Sequence, residues 1–277
     1  MKLINGVVTT VIALVSILSF SQVQAEEQYH PFLSDTFNFD VGTFWPDINF
    51  DLQVDGSSPG EEIDFDEALN LEDYQAAGSL NFRWRFGEKW SLWAQAYDTS
   101  TNGKAVLTKD IEWEDIIFKS GSFVEGGLGT TVIRVFFGRE LSVGPQHEFG
   151  IGAGLHWMEL DTFLKGGVFF DDGSQGFRRV SADAGFPLPN IGAWYMYSWS
   201  PKWIFQSRVD WLSASIGDYS GGLWDIQAGV NYQAFKNIGF GIYYKAFLLD
   251  VDVDKSSWRG SADLIQSGPV LTLTATW

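Results

Sequence analysis

Apolar and polar residues alternate one by one along much of this chain, and this period-two pattern limits the fold more than any other feature of the sequence. In the last segment Leu271, Leu273, Ala275 and Trp277 fall on one face of an extended strand, and threonines fall on the other. Because successive side chains of a strand point to opposite faces, the alternation predicts strands with one apolar face. The predicted fold class is all-β.

The same alternation recurs in six further segments, and their details favour a transmembrane β-barrel over a soluble β-sandwich. The apolar faces carry aromatic residues near the strand ends, and the opposite faces carry glycine and charge, as in barrels whose lipid-facing residues alternate with lumen residues. Several segments run beyond about 12 residues, which is long for a soluble sheet. The segments begin at Leu80, Trp90, Phe149, Trp203, Trp224 and Ile238.

Composition excludes several other classes of protein. Mean hydropathy is −0.04 although aromatic residues make up 16 % of the chain, a combination that suits a barrel and not a bundle of apolar helices. The net charge of −17 argues against a nucleic-acid partner. There is no cysteine, so no disulfide or thiolate metal site is expected, and no cofactor is predicted.

Three acidic clusters lie in segments that the sequence predicts to be loops. Their carboxylates do not match a twelve-residue calcium loop, so we predict solvated acidic loops and no metal site, with weak divalent bridging to lipopolysaccharide phosphates as the alternative. The clusters are 61–67 with its continuation to Asp73, 110–115, and Asp250 with Asp252 and Asp254.

The first 25 residues have the pattern of a signal peptide. Lys2 precedes an apolar run over 7–18 that is too short to span a bilayer comfortably, and Val23-Gln24-Ala25 resembles a cleavage site. The predicted organisation is a signal peptide over 1–25 and a single barrel domain over 26–277. An uncleaved membrane anchor is the alternative.

The lengths of the connections predict the orientation and an even number of strands. Short turns of such barrels face the periplasm and long loops face outward. Ten or twelve strands are expected, because Pro46 either kinks one long strand or turns a hairpin, and 160–188 could hold an extra hairpin. The predicted tight turns are 87–88, 198–201 and 235–236, with 138–146 somewhat longer, and the predicted long links are 56–73, 100–121, 160–188 and 252–264.

The C-terminal strand resembles the signature by which outer-membrane barrels are recognised during assembly. Leu271, Leu273, Ala275 and Trp277 occupy the matching positions, although the terminal residue of that signature is more often Phe. The whole mature chain resembles small, poorly characterised porin-like barrels of the bacterial outer membrane, with an acidic stretch over 63–71 and a Gly-Pro pair before the last strand. The resemblance implies an outer-membrane location. It also implies contacts with lipid and lipopolysaccharide, with the barrel-assembly machinery and with periplasmic chaperones during biogenesis, but no defined activity.

Alternation also predicts a cluster of charged side chains in the lumen. Such charges must be paired or hydrated. They form either an electrostatic constriction that selects anions or small solutes, or ion pairs that fill and stiffen a narrow barrel. The predicted members are Arg83, Arg85, Arg134, Arg208, Asp210, Asp225 and Lys245.

Among the three histidines only His156 is placed plausibly for catalysis, with Glu159 and Asp161 close in sequence. No barrel-hydrolase motif surrounds it, so no catalytic residue is assigned and the chain is predicted not to be an enzyme. The predicted function is passive passage of small solutes or ions, or a structural role in the envelope. The alternatives are a hydrolase of outer-leaflet lipid, such as a lipid A deacylase or phospholipase, and a protein of adhesion or recognition that acts through its loops.

Overall fold

The computed structural model describes residues 30–55, 62–69, 75–114, 116–169, 175–254 and 259–277. The predicted signal peptide lies outside these residues and stays a prediction. A 3-10 helix covers Pro31–Leu33 and helix α1 covers Phe65–Leu69. The strands are β1 Phe37–Phe44, β2 Asp47–Val54, β3 Glu62–Asp64, β4 Ala77–Phe86, β5 Trp90–Val106, β6 Ile111–Trp113, β7 Ile116–Phe118, β8 Phe123–Val143, β9 His147–Phe169, β10 Gln175–Ser200, β11 Trp203–Ile216, β12 Tyr219–Gln233, β13 Ile238–Asp254 and β14 Arg259–Thr276.

Ten of these strands close into a ring. The order is β1, β4, β5, β8 and then β9 to β14, and β14 pairs back with β1. Neighbours in the ring are antiparallel, and in the closing pair Val41 lies opposite Leu273. The predicted antiparallel transmembrane β-barrel with an even number of strands is confirmed.

Pro46 kinks one long strand, which is why the ring has ten strands and not twelve. β1 and β2 both pair with β14: β1 pairs with the second half of β14, and β2 pairs with the first half of β14. The break falls where Trp45 and Pro46 face Gly268 and Pro269. Neither proline has an N–H to give to the ladder. Gly268 is required here, because a Cβ would collide with the Trp45 carbonyl oxygen.

The outer surface carries an apolar belt between two rings of tryptophan. The periplasmic ring includes Trp90, Trp203 and Trp277, and the outer ring includes Trp157, Trp211 and Trp224, each more than a third exposed. Trp203 and Trp211 are eight residues apart on β11, about 26 Å along a strand at about 3.3 Å per residue and roughly 20 Å along the barrel axis after a tilt of about 40°. Aromatic girdles at this separation mark the two interfaces of a bilayer. The C-terminal residues Leu271, Leu273 and Trp277 are exposed within the belt.

Above the outer tryptophan ring the apolar and polar faces exchange sides. On β13, Val251 and Val253 point inward and are buried, whereas Asp250, Asp252 and Asp254 point outward and are exposed. The change of phase follows the change of solvent, because the wall faces lipid below this level and water above it. The barrel therefore continues outside the membrane with an ordinary apolar core.

This extension corrects several predicted loops. The segment 160–188 is neither a long loop nor an extra hairpin, because β9 and β10 pair from Phe169 and Gln175 down to His147 and Tyr197. The strands likewise run into 100–121 and 252–264, so the links between the wall strands are 107–122 and 255–258. The predicted turns 138–146 and 198–201 shrink to 144–146 and 201–202 for the same reason.

The outer end of the interior is filled by the links themselves. β3 pairs with β2, and α1 follows it directly, with Phe65 and Leu69 fully buried. The small hairpin of β6 and β7 adds Trp113 and Phe118 to the same core. The Phe65 ring lies 5.2 Å from Phe50 and 6.3 Å from Trp113, so strand wall, helix and hairpin pack as one unit.

We predict that Val251→Asp destabilises the barrel and that Asp252→Val, at the adjacent position, does not. Val251 is 3 % exposed in the apolar core, so a carboxylate there lowers the free energy of unfolding by about 3 kcal/mol or more. Asp252→Val changes an exposed outward position and costs about 0.5 kcal/mol or less. Denaturant unfolding in detergent micelles, followed by tryptophan fluorescence, measures both. A larger loss for the change at 252 would mean that the faces have not exchanged sides.

Candidate functional site

The seven charged residues predicted for the lumen all point into the barrel, where they divide between two clusters. The periplasmic cluster contains Arg83 and Arg85 of β4. The central cluster contains Arg134, Arg208 and Lys245 with Asp210 and Asp225. The two clusters lie at different heights in the lumen, so the structure does not bring the seven together in one site.

In the periplasmic cluster two arginines share two carboxylates. The Arg83 guanidinium contacts Glu148, and its Nη2 lies 3.4 Å from Oε1 of Glu140. The Arg85 guanidinium contacts Glu148, and its Nε lies 3.1 Å from Glu140. The Trp194 indole N–H also donates to Glu148. Both glutamates were missed by the sequence analysis, and they make this cluster neutral.

A short N-terminal segment closes the periplasmic mouth beneath this cluster. The Phe32 carbonyl accepts a hydrogen bond from Arg83 at 3.3 Å, and the Leu33 carbonyl accepts one from Arg85 at 2.6 Å. The Phe32 ring is buried with Trp194 and Met196. The segment is thus held inside the barrel by both charge and packing.

In the central cluster two aspartates hold three cations. Asp210 accepts from Arg134 at 2.9 Å and from Arg208 at 3.3 Å. Asp225 accepts from Arg208 at 3.1 Å and from Lys245 at 3.4 Å. These five side chains come from four strands, so the cluster ties β8, β11, β12 and β13 together across the lumen.

Most of the lumen charge is paired within the two clusters. The central cluster has three cations and two carboxylates, and Asp40 lines the cavity between the clusters but forms no ion pair among the described residues. Across both clusters, five basic residues contact four carboxylates. Opposite charges at this density pair and stiffen the wall, which favours the structural interpretation over a selective constriction.

His156 lies in the central cluster with both ring nitrogens taken. Nε2 lies 3.2 Å from Asp225, and Nδ1 lies 3.2 Å from Asn190. A serine hydrolase needs a serine hydroxyl at one of these nitrogens. Of the other histidines, His30 sits in the closed mouth and His147 is hydrogen-bonded to Ser142 beside a periplasmic turn.

The same histidine forms the one grouping of the described residues that resembles a metal-ligand set. Ligand atoms of His156, Asp210 and Asp225 lie within 4.8 Å of one another. The two carboxylates are already held by Arg134, Arg208 and Lys245, and three cations at such a site oppose a fourth. These residues do not suit a metal ion.

A polar cavity of about 50 Å³ separates the two clusters. Since one buried water needs roughly 10–15 Å³, the cavity has room for a few waters and for no larger solute. Trp93, Trp194 and Tyr243 line it beside the arginines. Its waters would satisfy buried polar atoms such as the Asn38 amide, which has no partner among the described residues.

Outside the membrane, carboxylates of neighbouring strands face one another on the outer surface. Asp263 of β14 lies opposite Asp250 of β13 on one side and opposite Asp51 of β2 on the other. Partial burial and the negative charge of Asp250 raise the pKa of Asp263 to about 6. Asp250 was predicted to lie in a loop and is instead part of this row on a strand.

Comparisons with known proteins support the fold. No family model and no curated protein matches the sequence. The structure is similar to that of the outer-membrane protease OmpT of Escherichia coli, with a TM-score of 0.61 and 11 % identity, covering 88 % of this chain and 97 % of that one. The toluene transporter TodX of P. putida gives a TM-score of 0.38 at 9 % identity over 89 % of this chain and 91 % of that one.

The fold is that of the outer-membrane β-barrels, and the apolar belt between the two tryptophan rings places this chain in the outer membrane. Among the described residues, no helix has the length and apolarity to cross a bilayer. The identity to OmpT is too low for its activity to be carried over.

We predict that Glu148→Ala is strongly destabilising. It leaves two arginines and an indole N–H without their shared acceptor in a buried site, a loss of about 3–5 kcal/mol in the free energy of unfolding. Glu159→Ala on the same strand is the matched control, because its side chain is exposed above the membrane and its loss costs about 0.5 kcal/mol or less. Denaturant unfolding in micelles measures the difference. Equal effects would show that the cluster does not support the barrel.

We predict that Asp263→Asn stabilises the barrel near neutral pH and not at pH 4. Folding raises the pKa of Asp263, so the folded state is favoured when this carboxyl is protonated. That contribution to the free energy of unfolding is fully present below the ordinary pKa of 3.8 and is lost as pH rises through about 6. The asparagine variant removes that loss, and solvent screening keeps the gain small, about 1–3 °C in Tm at pH 7.5. Thermal unfolding at both pH values tests this. Asp252→Asn, opposite Ser261, is the control, and an equal rise in Tm for the control would contradict the prediction.

Proposed function

We propose that this protein is a closed outer-membrane barrel whose role is to hold a rigid recognition surface above the membrane. The observation that carries the proposal is that the lumen is filled at three successive heights. A side chain that lines an open pore is in contact with water, whereas lumen-facing side chains at these heights are nearly inaccessible.

The three heights each use different chemistry. At the periplasmic mouth the buried Phe32 blocks the entrance. At the level of the outer tryptophan ring His156, Asp210 and Asp225, each next to a tryptophan of that ring, are no more than about 1 % exposed. Above the membrane Leu249 and Val251 pack with the buried side chains of α1 and of the β6–β7 hairpin. A solute would have to displace all three layers.

The proposed recognition surface is the outward face of β5, β8, β9 and β10 above the outer tryptophan ring, which we call the outer face. At its top Val106, Phe123 and Phe177 are 59 %, 61 % and 68 % exposed. Val106 lies opposite Phe123, and Phe177 lies opposite Gly167 of β9. Large apolar side chains gathered in one patch far from lipid mark an interaction site. This favours the recognition alternative over the pore.

Passive transport is the second candidate, and the polar cavity between the clusters favours it. It requires the N-terminal segment to leave the mouth and the central cluster to open. The lipid hydrolase is not proposed, because both nitrogens of His156 are held by Asn190 and Asp225.

We predict that the purified protein gives no discrete conductance steps in planar bilayers. Breaking the buried ion pairs of the central cluster is too costly for spontaneous opening, at about 3–5 kcal/mol for each carboxylate removed. A Phe32→Gly variant, which removes the side chain that blocks the mouth, is expected to remain silent because the central cluster stays closed. Steps in the unaltered protein would overturn the proposal. Steps only in the variant would show a pore gated by the N-terminal segment.

A further inference from the structure

A cleft of about 380 Å³ lies in the lower half of the outer face. Sites for small ligands span roughly 300–1,000 Å³, so the cleft has the size of such a site. It crosses four strands in two rows of outward residues. The lower row runs across β5, β8, β9 and β10 and consists of Ser100, Gly129, Asp161 and Asp183. The upper row crosses the same strands and consists of Asn102, Gly127, Phe163 and Ser181.

The floor of the cleft is made by two glycines of β8. An added Cβ at Gly129 would meet only Asp161, at 3.9 Å, so the space above this residue is open. At Gly127 an added Cβ would lie 2.9 Å from the Phe163 ring, because that ring lies across the glycine. Arg179 lies on the ring, with Cζ 4.3 Å from its centroid, and the stacked pair forms the upper wall.

The sides of the cleft are short polar groups at its rim. Asp161 and Asp183 face each other across β9 and β10, and both are exposed. Ser100, Asn102 and Ser181 are exposed around them. Carboxylates, an amide and hydroxyls provide both hydrogen-bond acceptors and donors, as the hydroxyl groups of a polyhydroxylated ligand require. The edge of the Phe163 ring provides one apolar contact.

The height of the cleft identifies which such ligand is nearest. Asp161 is four residues above Trp157 of the outer tryptophan ring, about 13 Å along β9 at about 3.3 Å per residue, and less after the tilt of the strand. The polar headgroup layer extends about 5–8 Å beyond the hydrocarbon. The cleft therefore faces sideways into the layer just above the headgroups, where the glycan of an outer-leaflet glycolipid begins.

The charged side chains around the cleft narrow the class of sugar ligand further. Asp98 and Glu159 lie in the row beneath the cleft, and Asp161 and Asp183 lie within it. Arg179 of the upper wall is a cation in the lining of the cleft, and Lys104 and Lys165 in the row above are paired with Glu125. The four carboxylates outnumber Arg179, so the net charge disfavours phosphate and favours sugars without phosphate.

We propose that this cleft binds uncharged sugar residues in the core glycan of the lipopolysaccharide that surrounds the barrel. Asp161, Asp183 and Asn102 bind the hydroxyls, the Phe163 edge contacts the apolar face of a ring, and Gly129 provides the room. The proposal rests on the proposed function, because it gives the recognition surface its first ligand. It is independent of whether the lumen conducts.

The test is binding of dephosphorylated core oligosaccharide, released from rough lipopolysaccharide, to the full barrel in detergent micelles. Saturation-transfer NMR and calorimetry measure the affinity. Gly129→Leu fills the cleft without a backbone clash, and we expect it to weaken binding by about tenfold or more. Asp161→Asn keeps the shape and is expected to weaken binding less.

Gly78→Leu is the matched control, since a Cβ at this exposed glycine meets nothing within 4 Å and Gly78 lies on β4, outside the four strands that the cleft crosses. Far-UV circular dichroism establishes that both leucine variants are folded. Binding that Gly129→Leu reduces and Gly78→Leu does not supports the site. Absence of binding to the unaltered protein, or binding that Gly129→Leu leaves unchanged, overturns it.

A second arm separates the source of the sugar. Maltose and cellulose oligosaccharides are offered under the same conditions, and we expect them to bind more weakly than the core glycan. Binding to these free sugars with none to the core glycan would overturn the assignment to lipopolysaccharide. The bilayer conductance of the protein is measured separately, so a failure of the glycan site and a failure of the closed-barrel proposal give different results.

Discussion

Pairing of buried charge inside the membrane is the interaction on which the rest of this structure depends. Lipid demands an apolar exterior, so polar residues of the spanning strands collect in the lumen. A ten-stranded lumen is only modestly wider than one that side chains fill, so water cannot hydrate every charge. Arg134 on Asp210 and Arg83 on Glu148 solve this problem by direct contact. Each pair joins strands from different parts of the ring, so neutralising the charge also braces the wall.

The exchange of faces above the membrane follows from the same constraint. Once the outer surface meets water, its residues become polar, and the inward residues are free to form an apolar core like that of a soluble protein. Trp157 and Met158 stand side by side on β9 where this happens, and Leu248 and Leu249 do so on β13. Each doublet places one apolar residue outward against the lipid boundary and the next inward into the core. The strands can then continue far beyond the bilayer without a break in pairing.

These doublets explain why the sequence predicted the spanning barrel well and its outer part poorly. Strict alternation with lipid-facing apolar residues identified β5, β11, β12, β13 and β14 and placed Arg83, Arg208 and Lys245 in the lumen. Beyond the doublet at 157–158 the outward residues of β9 are acidic, so the same rule wrongly predicted a loop there. A pair of adjacent apolar residues between two alternating runs was the available signal of a change in solvent.

The partners of the lumen arginines could not be found in the same way. Glu140 lay in a segment predicted to be a link, because β8 has a register shift between Glu140 and Ser142 that interrupts the alternation. Glu148 does alternate correctly, but nothing in its local sequence says which cations it will face across the barrel. Such contacts depend on the register of ten strands at once. The N-terminal segment is harder still, since its two carbonyl contacts to Arg83 and Arg85 involve backbone atoms that every residue has.

The filled interior of the barrel supports the cleft on its outer face. A recognition site on a sheet keeps its shape only if the sheet does not flex, and the core behind Gly127 and Gly129 is packed with Leu128, Leu164 and Leu69. Glycines in the middle of a strand weaken it, and they persist where close approach is needed. Here the approach from inside is made by Leu69 of α1 against Gly126, and the approach from outside is left open above Gly129. The apolar filling that closes the lumen to solutes is therefore also the support that lets a glycine-floored surface keep a defined shape in the glycan layer.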